Sequence, residues 1–226
     1  MMLRDWEDIP EFMRCDEVRA YYDVLDRKRF QLCAKRVLDV CLALVLLLIL
    51  MIPMLVISVM IKLDSPGKVL FRQERVTAYG KRFRIHKFRT MVDHADKKGT
   101  AVTVQGDARV TKVGSMLRNK RLDELPQLLD ILTGNMTFVG TRAEVPKYVS
   151  AYTDEMYATL LLPAGVTSEA SIRFKDEAML LSEVADADRV YVERVLPKKM
   201  EINLNSLRRF SIGSDIATLI RTVFVV

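Results

Sequence analysis

Val40-Cys41-Leu42-Ala43-Leu44-Val45-Leu46-Leu47-Leu48-Ile49-Leu50-Met51-Ile52-Pro53-Met54-Leu55-Val56-Ile57-Ser58-Val59-Met60-Ile61 is the run that decides the architecture of this chain. It holds about 22 residues without a charge, and Ser58 is its only side chain with a hydroxyl or amide. One straight helix over it, at about 1.5 Å per residue, would reach about 33 Å, enough to cross a hydrocarbon core. The flanks argue against a simple crossing. Arg27, Lys28, Arg29, Lys35 and Arg36 precede the run, and Lys62, Lys68, Arg72 and Arg75 follow it. Basic residues favour the cytoplasmic side, so a single crossing violates that preference at one end. Pro53 removes a helix hydrogen bond and clashes with the preceding turn. These features admit a helix that dips in, bends near Pro53 and returns to the same face. They also admit a kinked spanning helix or, less readily at this length, a buried core helix.

Upstream, Asp16 to Leu32 mixes charges with Val18, Tyr21, Tyr22, Val24, Leu25 and Phe30, the pattern of an amphipathic helix. It could lie along a membrane surface or pack on the rest of the protein. Asp5, Glu7 and Asp8 stand where a cleavable signal would be basic, so the chain is expected on the cytoplasmic side. Asp39 lies one turn after Lys35 and Arg36, which can neutralise it. The chain has 226 residues, half of them apolar, room for one good core plus an anchor. Its net charge of +6 points to anionic partners. The three cysteines, Cys15, Cys33 and Cys41, lack metal-ligand spacing, and the chain has two histidines, so a zinc site is not expected.

Downstream, Asp64-Ser65-Pro66-Gly67 is a turn signal, after which Val69 to Val76 and Arg82 to Thr90 read as a hairpin around Ala78-Tyr79-Gly80. Its cations alternate with Phe71, Phe83, Ile85 and Phe88. That pattern suits headgroup contact, phosphate binding or nucleic acid. A short helix is expected over Val92 to Lys98. Val110 to Leu117 then leads into Arg118-Asn119-Lys120-Arg121, and a helix from about Asp123 to Leu132 stops at Gly134-Asn135. Asp123 and Glu124 would sit at its N-terminus, where the helix field and the preceding cations keep carboxylates ionised. Such a pair could hold a hard cation such as Mg²⁺, although acidic residues in a first turn also serve as simple caps. Met136 to Val139 reads as a strand leading into Gly140-Thr141-Arg142, a turn that brings another arginine near the pair. Helices are expected over Val145 to Leu161, from Glu177 to about Leu181, and over Asp188 to Val195, Lys198 to Arg209 and Ser214 to Val223.

Several stretches together carry a family likeness: Lys35-Arg36-Val37-Leu38-Asp39, Phe71-Arg72-Gln73-Glu74-Arg75-Val76, Lys87-Phe88-Arg89-Thr90-Met91, Leu117-Arg118, Leu122-Asp123-Glu124-Leu125-Pro126-Gln127-Leu128 and Gly140-Thr141-Arg142. In order and spacing they resemble the monotopic phosphoglycosyl transferases, the bacterial sugar transferase family. The resemblance runs from about Lys35 to the end of the chain. It implies an α+β fold: a mostly helical cytoplasmic domain with a small β-hairpin, anchored by a re-entrant membrane helix kinked at Pro53. The expected parts are a surface segment over residues 1–34, the membrane helix over 35–64 and the catalytic domain over 65–226. The implied location is the bacterial inner membrane.

The resemblance further implies transfer of a sugar-1-phosphate from a UDP-sugar to polyprenyl (undecaprenyl) phosphate, with release of UMP. Asp123 would be the nucleophile, Glu124 its assistant, and both would hold Mg²⁺. Arg118 and Arg142 match arginines that the family places near the phosphates, and Lys87, Arg89, Arg173 and Lys175 are further candidates. No nucleic acid is expected as a partner; a homo-oligomer is left open. In many members a serine precedes the kink proline, whereas Ile52 stands here, and Lys68 and Ala143 replace common prolines. Ala143 could loosen the turn beside Arg142. The rival function is an inactive membrane-attached scaffold or binding protein of the same fold.

Overall fold

The computed structural model describes residues 3–93, 95, 107–176 and 186–225. Helix α1 (Asp16–Asp26) is followed within a few residues by α2 (Arg29–Asp64), which is continuous through Pro53. Strands β1 (Leu70–Val76) and β2 (Arg82–Phe88) form an antiparallel hairpin that pairs Leu70 with Phe88 and Val76 with Arg82. Its turn needs left-handed backbone at Tyr79 (φ 58°) and Gly80 (φ 71°). The strained tyrosine is held in place by burial and by its hydroxyl, which accepts from the Arg4 amide at 2.9 Å.

Next come α3 (Lys112–Asn119), a 3-10 turn over Leu122–Gln127, α4 (Leu128–Leu132) and strand β3 (Met136–Val139). The short helix α5 (Pro146–Val149) and a 3-10 segment over Glu155–Leu161 lead to β4 (Ala164–Thr167), which pairs in parallel with β3. Then follow α6 (Glu169–Arg173), α7 (Ala187–Val190), a π-helical turn over Tyr191–Val195, α8 (Leu196–Arg208) and α9 (Ile212–Val225). The result is a mostly helical molecule with two two-stranded sheets and one long apolar helix near its N-terminus.

Two sequence expectations change form. The helix expected over Val145 to Leu161 is broken, because the Ser150 hydroxyl returns to the Lys147 carbonyl at 2.7 Å and ends α5. The helix expected from Asp123 to Leu132 becomes a tight 3-10 turn followed by α4. Arg121 stands in the left-handed region (φ 53°) just before it, and Pro126 cannot donate inside it. The helices expected from Glu177, and most of Val92 to Lys98, lie outside the described residues.

One stripe of α2 packs on the rest of the protein along its whole length. Before Pro53, Ala43 with Leu42, Leu46, Leu47 and Leu50 meets Phe83, Ile85, Ile131 and Met136. After it, Met54, Ile57 and Ile61 meet Phe88, Leu117, Leu122 and Leu125. The opposite face bares Leu48, Ile49, Ile52 and Leu55, each about two thirds exposed or more, and Pro53 lies on this outer side. A contiguous bare apolar face of that extent excludes a buried core helix and marks a lipid or protein contact.

Polar bonds fix the N-terminal part of α2. Arg36 donates to the carbonyls of Ile131 (2.7 Å) and Leu132 (3.0 Å) at the C-terminal end of α4, where helix carbonyls run short of amide partners. Lys35 bridges the Val139 carbonyl and Asp215, while Asp39 accepts from Thr137 and the Phe138 amide. The apolar face of α1 is buried: Val18, Tyr21, Tyr22 and Leu25 join Leu3, Ile9 and Met13 in a core with Tyr79, Leu161, Met200 and Leu204. Within the described residues the N-terminal segment packs as a brace on the rest of the protein.

Candidate active site

Three elements converge on the acidic pair. Thr111 caps α3 by accepting from the Gly114 amide, and Gly114 lies so close to the Thr90 carbonyl that a Cβ there would fall 2.0 Å from it. That close approach brings Arg118 within 2.7 Å of the Thr90 hydroxyl. The left-handed Arg121 reverses the chain and presents Asp123 and Glu124 on the 3-10 turn. From β2 comes Lys87, and from the turn after β3 comes Arg142. Gly140 and Gly165 let that turn lie against β4: a Cβ on Gly165 would sit 2.2 Å from the Gly140 carbonyl oxygen. The Gly165 amide donates to Thr141 at 2.8 Å and the Gly140 amide to Thr167 at 3.0 Å.

Glu124 is clamped. Its Oε1 accepts from Lys87 Nζ and from Arg142 Nη2, each at 2.7 Å, and its side chain is 10% exposed. Burial raises its pKa, but the charges of Arg142 and Lys87 outweigh that and hold it well below the ordinary carboxylate range. Asp123 differs: its carboxylate has no hydrogen bond or ion pair among the described residues. Burial pushes its pKa up, and the neighbouring Lys87, Arg118 and Arg142 do not cancel the effect.

Among the other candidates, Arg89 donates to the carbonyls of Ser65 (2.7 Å), Pro66 and Ile61, so its guanidinium closes the C-terminal end of α2. Arg173 pairs with Glu169 at 3.1 Å on α6, which also meets Arg221, and Lys175 is exposed nearby. Neither Arg173 nor Lys175 contacts the acidic pair among the described residues. Ala143 is buried, and its carbonyl accepts from Arg75 Nη1 at 3.0 Å, so the turn lacking proline is tied down by a side chain.

Two polar residues at the site were not singled out from the sequence. Gln127, three residues after Glu124, is 2% exposed, and Arg75 reaches the same region from β1. The i, i+3 spacing from Glu124 was the available signal for Gln127. For Arg75 the strand alternation gave none, since it reads as one more solvated cation of the hairpin.

No group of three or more His, Cys, Asp or Glu side chains suited to a metal occurs among the described residues. The donor set still fits Mg²⁺. That ion takes oxygen ligands and commonly uses one or two carboxylates together with substrate phosphates. Asp123 offers an unengaged carboxylate beside Glu124.

Beside the long apolar helix lie a carboxylate without a hydrogen bond among the described residues, a clamped one, and the cations Lys87, Arg118 and Arg142. The sequence matches the bacterial sugar transferase family over residues 30–226, and the chain belongs to that family. It is 33% identical over 193 residues to the UDP-N-acetylgalactosamine-undecaprenyl-phosphate N-acetylgalactosaminephosphotransferase of Aeromonas hydrophila, covering 84% of this chain and 42% of that protein. It is 34% identical over 194 residues to the UDP-glucose:undecaprenyl-phosphate glucose-1-phosphate transferase of Escherichia coli (strain K12), covering 84% and 39%. The exopolysaccharide production protein PSS of Rhizobium leguminosarum bv. phaseoli is 46% identical over 112 residues, 49% of this chain and 56% of that one. The chain thus spans about two fifths of the length of the first two relatives.

Proposed function

We propose that this chain is a phosphoglycosyl transferase that moves a sugar-1-phosphate from a UDP-sugar to polyprenyl phosphate, an early membrane step of glycoconjugate assembly. The observation that carries the proposal is the contrast within the acidic pair. Glu124 is immobilised by two cations, while Asp123, without a hydrogen bond or ion pair among the described residues, is left to attack. In the first step an Asp123 carboxylate oxygen bonds to the sugar-bearing phosphorus. The bond from that phosphorus to the bridging oxygen breaks, and UMP leaves with the oxygen. In the second step a phosphate oxygen of the polyprenyl acceptor attacks the same phosphorus, expels the Asp123 carboxylate and forms the lipid-linked diphosphosugar.

Lys87, Arg118 and Arg142 hold the phosphate charges, and Glu124 fixes two of those cations in position. When bound beside Asp123 and Glu124, Mg²⁺ would supply further charge neutralisation at the diphosphate. The placement of α2 suits a lipid acceptor, since Leu122 and Leu125, which flank the acidic pair, pack on its second half. Both halves of α2 lie on one body, both flanks are basic, and Pro53 faces outward where a bend toward that body would place it. These features support a re-entrant helix in the bacterial inner membrane, with the catalytic body on the cytoplasmic face.

The test is UMP release by the purified protein in detergent with undecaprenyl phosphate, Mg²⁺ and a panel of UDP-sugars, beside Asp123→Ala. Release abolished by the substitution is the expected result. Full turnover by the variant would refute Asp123 as nucleophile. Donor binding without any UMP release would favour the inactive scaffold.

A further inference from the structure

Behind the Glu124 clamp lies a cavity of about 10 Å³ whose polar walls are Arg75, Lys87, Gln127 and Arg142. That is room for about one oxygen atom. Two buried side-chain N–H donors of these lining residues have no hydrogen-bond partner among the described residues: Gln127 Nε2 and Arg75 Nε. The rest of the Arg75 guanidinium is engaged, with Nη1 on the Ala143 carbonyl at 3.0 Å and Nη2 on Gln73 Oε1 at 2.7 Å. The Arg75 fork is therefore fixed, with Nε left over. Gln127 is 2% exposed and held on the same 3-10 turn as the acidic pair. An unpaired buried donor is costly, and two at one cavity call for a guest that only accepts. Three cations line the space, while the neighbouring Glu124 is already clamped, so an anionic oxygen fits better than a neutral one.

Resting on the proposed reaction, we infer that Arg75 and Gln127 form a seat for a non-bridging phosphate oxygen of the diphosphate donor. The seat orients the sugar-bearing phosphorus toward Asp123. Lys87 and Arg142 serve both groups, touching Glu124 and lining the seat. Gln127 then acts directly on the donor, and the Ala143 carbonyl acts through Arg75 by holding its guanidinium still.

The experiment measures binding of inorganic pyrophosphate to the full chain in detergent by calorimetry, with and without Mg²⁺, for wild type, Gln127→Met, Gln127→Glu and Arg75→Lys. Unfolding temperature without ligand and the KM for the UDP-sugar are measured alongside. Losing one hydrogen bond to a charged oxygen should weaken binding about ten- to hundred-fold in Gln127→Met. Gln127→Glu, which puts a negative charge at the seat, should weaken it further. The Met variant should unfold no earlier than wild type, since it removes an unpartnered buried amide. Unchanged pyrophosphate affinity and KM in Gln127→Met, with or without a lowered unfolding temperature, would reduce Gln127 to packing and overturn the seat. Pyrophosphate binding that needs Gln127, in a protein that releases no UMP from any donor, would leave the seat standing and overturn the reaction.

Discussion

Replacing Glu124 by Gln should destabilise the protein substantially even though the shape barely changes. The substitution removes the charge that faces Lys87 and Arg142, whose side chains are 17% and 30% exposed. Breaking a buried pair by deleting one partner costs about 3–5 kcal/mol. The low end, about 3 kcal/mol, applies here because Arg142 can regain some water and the amide oxygen can still accept. At about 2–4 °C per kcal/mol for a protein of this size, the unfolding temperature should fall by about 6–12 °C. The pH dependence follows from the depressed pKa of Glu124. A carboxylate whose folded pKa lies below its ordinary 4.5 contributes stability that is present above 4.5 and is lost as pH falls through the folded value. The gap between wild type and Glu124→Gln should therefore stay flat from neutral pH to about 4.5 and close only in stronger acid. Thermal unfolding in detergent followed by circular dichroism across that range measures both. A variant within about 1 kcal/mol of wild type at pH 7, or a gap that closes already near pH 6, would refute the clamp.

Asp123→Asn should do the reverse for stability: its raised pKa means that ionisation opposes folding as pH rises, so the variant should melt higher than wild type at pH 8 and lose that advantage in acid, while releasing no UMP. Arg89→Met should cost about 2–4 kcal/mol by uncapping α2, with little change in donor KM; a KM rise without destabilisation would return Arg89 to the phosphate site. Arg173→Ala, which breaks an exposed pair with Glu169, should change stability by less than about 1 kcal/mol and leave pyrophosphate affinity unaltered by calorimetry. With Cys41 replaced by Ala, Cys33 and a cysteine placed at Ser65 should both react with a membrane-impermeant thiol reagent from the cytoplasmic side of oriented vesicles; labelling from opposite sides would establish a spanning helix.

Local signals were enough for the hairpin. Ser65-Pro66-Gly67 and Tyr79-Gly80 punctuate two alternating runs, and the strands form there in register. The long apolar helix was equally plain. Its single packed stripe was not, because apolar residues surround the whole segment and periodicity cannot pick a face. The acidic pair and Arg142 were legible through motif order, and the structure joins Glu124 to Arg142. Arg89 shows the limit. Lys87 and Arg89 are separated by one residue and carry the same charge, yet one meets Glu124 and the other the carbonyls of Ser65 and Pro66. Which carbonyls are left unpaired at the end of α2 is a long-range fact that no window around Arg89 contains. Gln127 stayed hidden because an uncharged amide in a leucine-rich helix looks like a solvated position.

Asp123 and Glu124 are neighbours in sequence with the same ionisable group, yet the fold drives their pKa values in opposite directions. Burial acts on both; the difference is contact. Glu124 touches two cations at 2.7 Å, whereas Asp123 feels the same cations only at a distance. Coulomb energy and hydrogen bonding both fall steeply over that interval, so a displacement of one side chain separates a structural carboxylate from a reactive one. In the reaction proposed above, a nucleophile so held carries a stability cost, which the clamp next to it offsets. The clamp also engages Lys87 and Arg142 at 2.7 Å, so those cations are held on Glu124. On this account Glu124 protects the reactivity of Asp123 by occupying its competitors. Removing Glu124 should therefore impair turnover at saturating donor as well as stability, even under conditions where the variant remains fully folded.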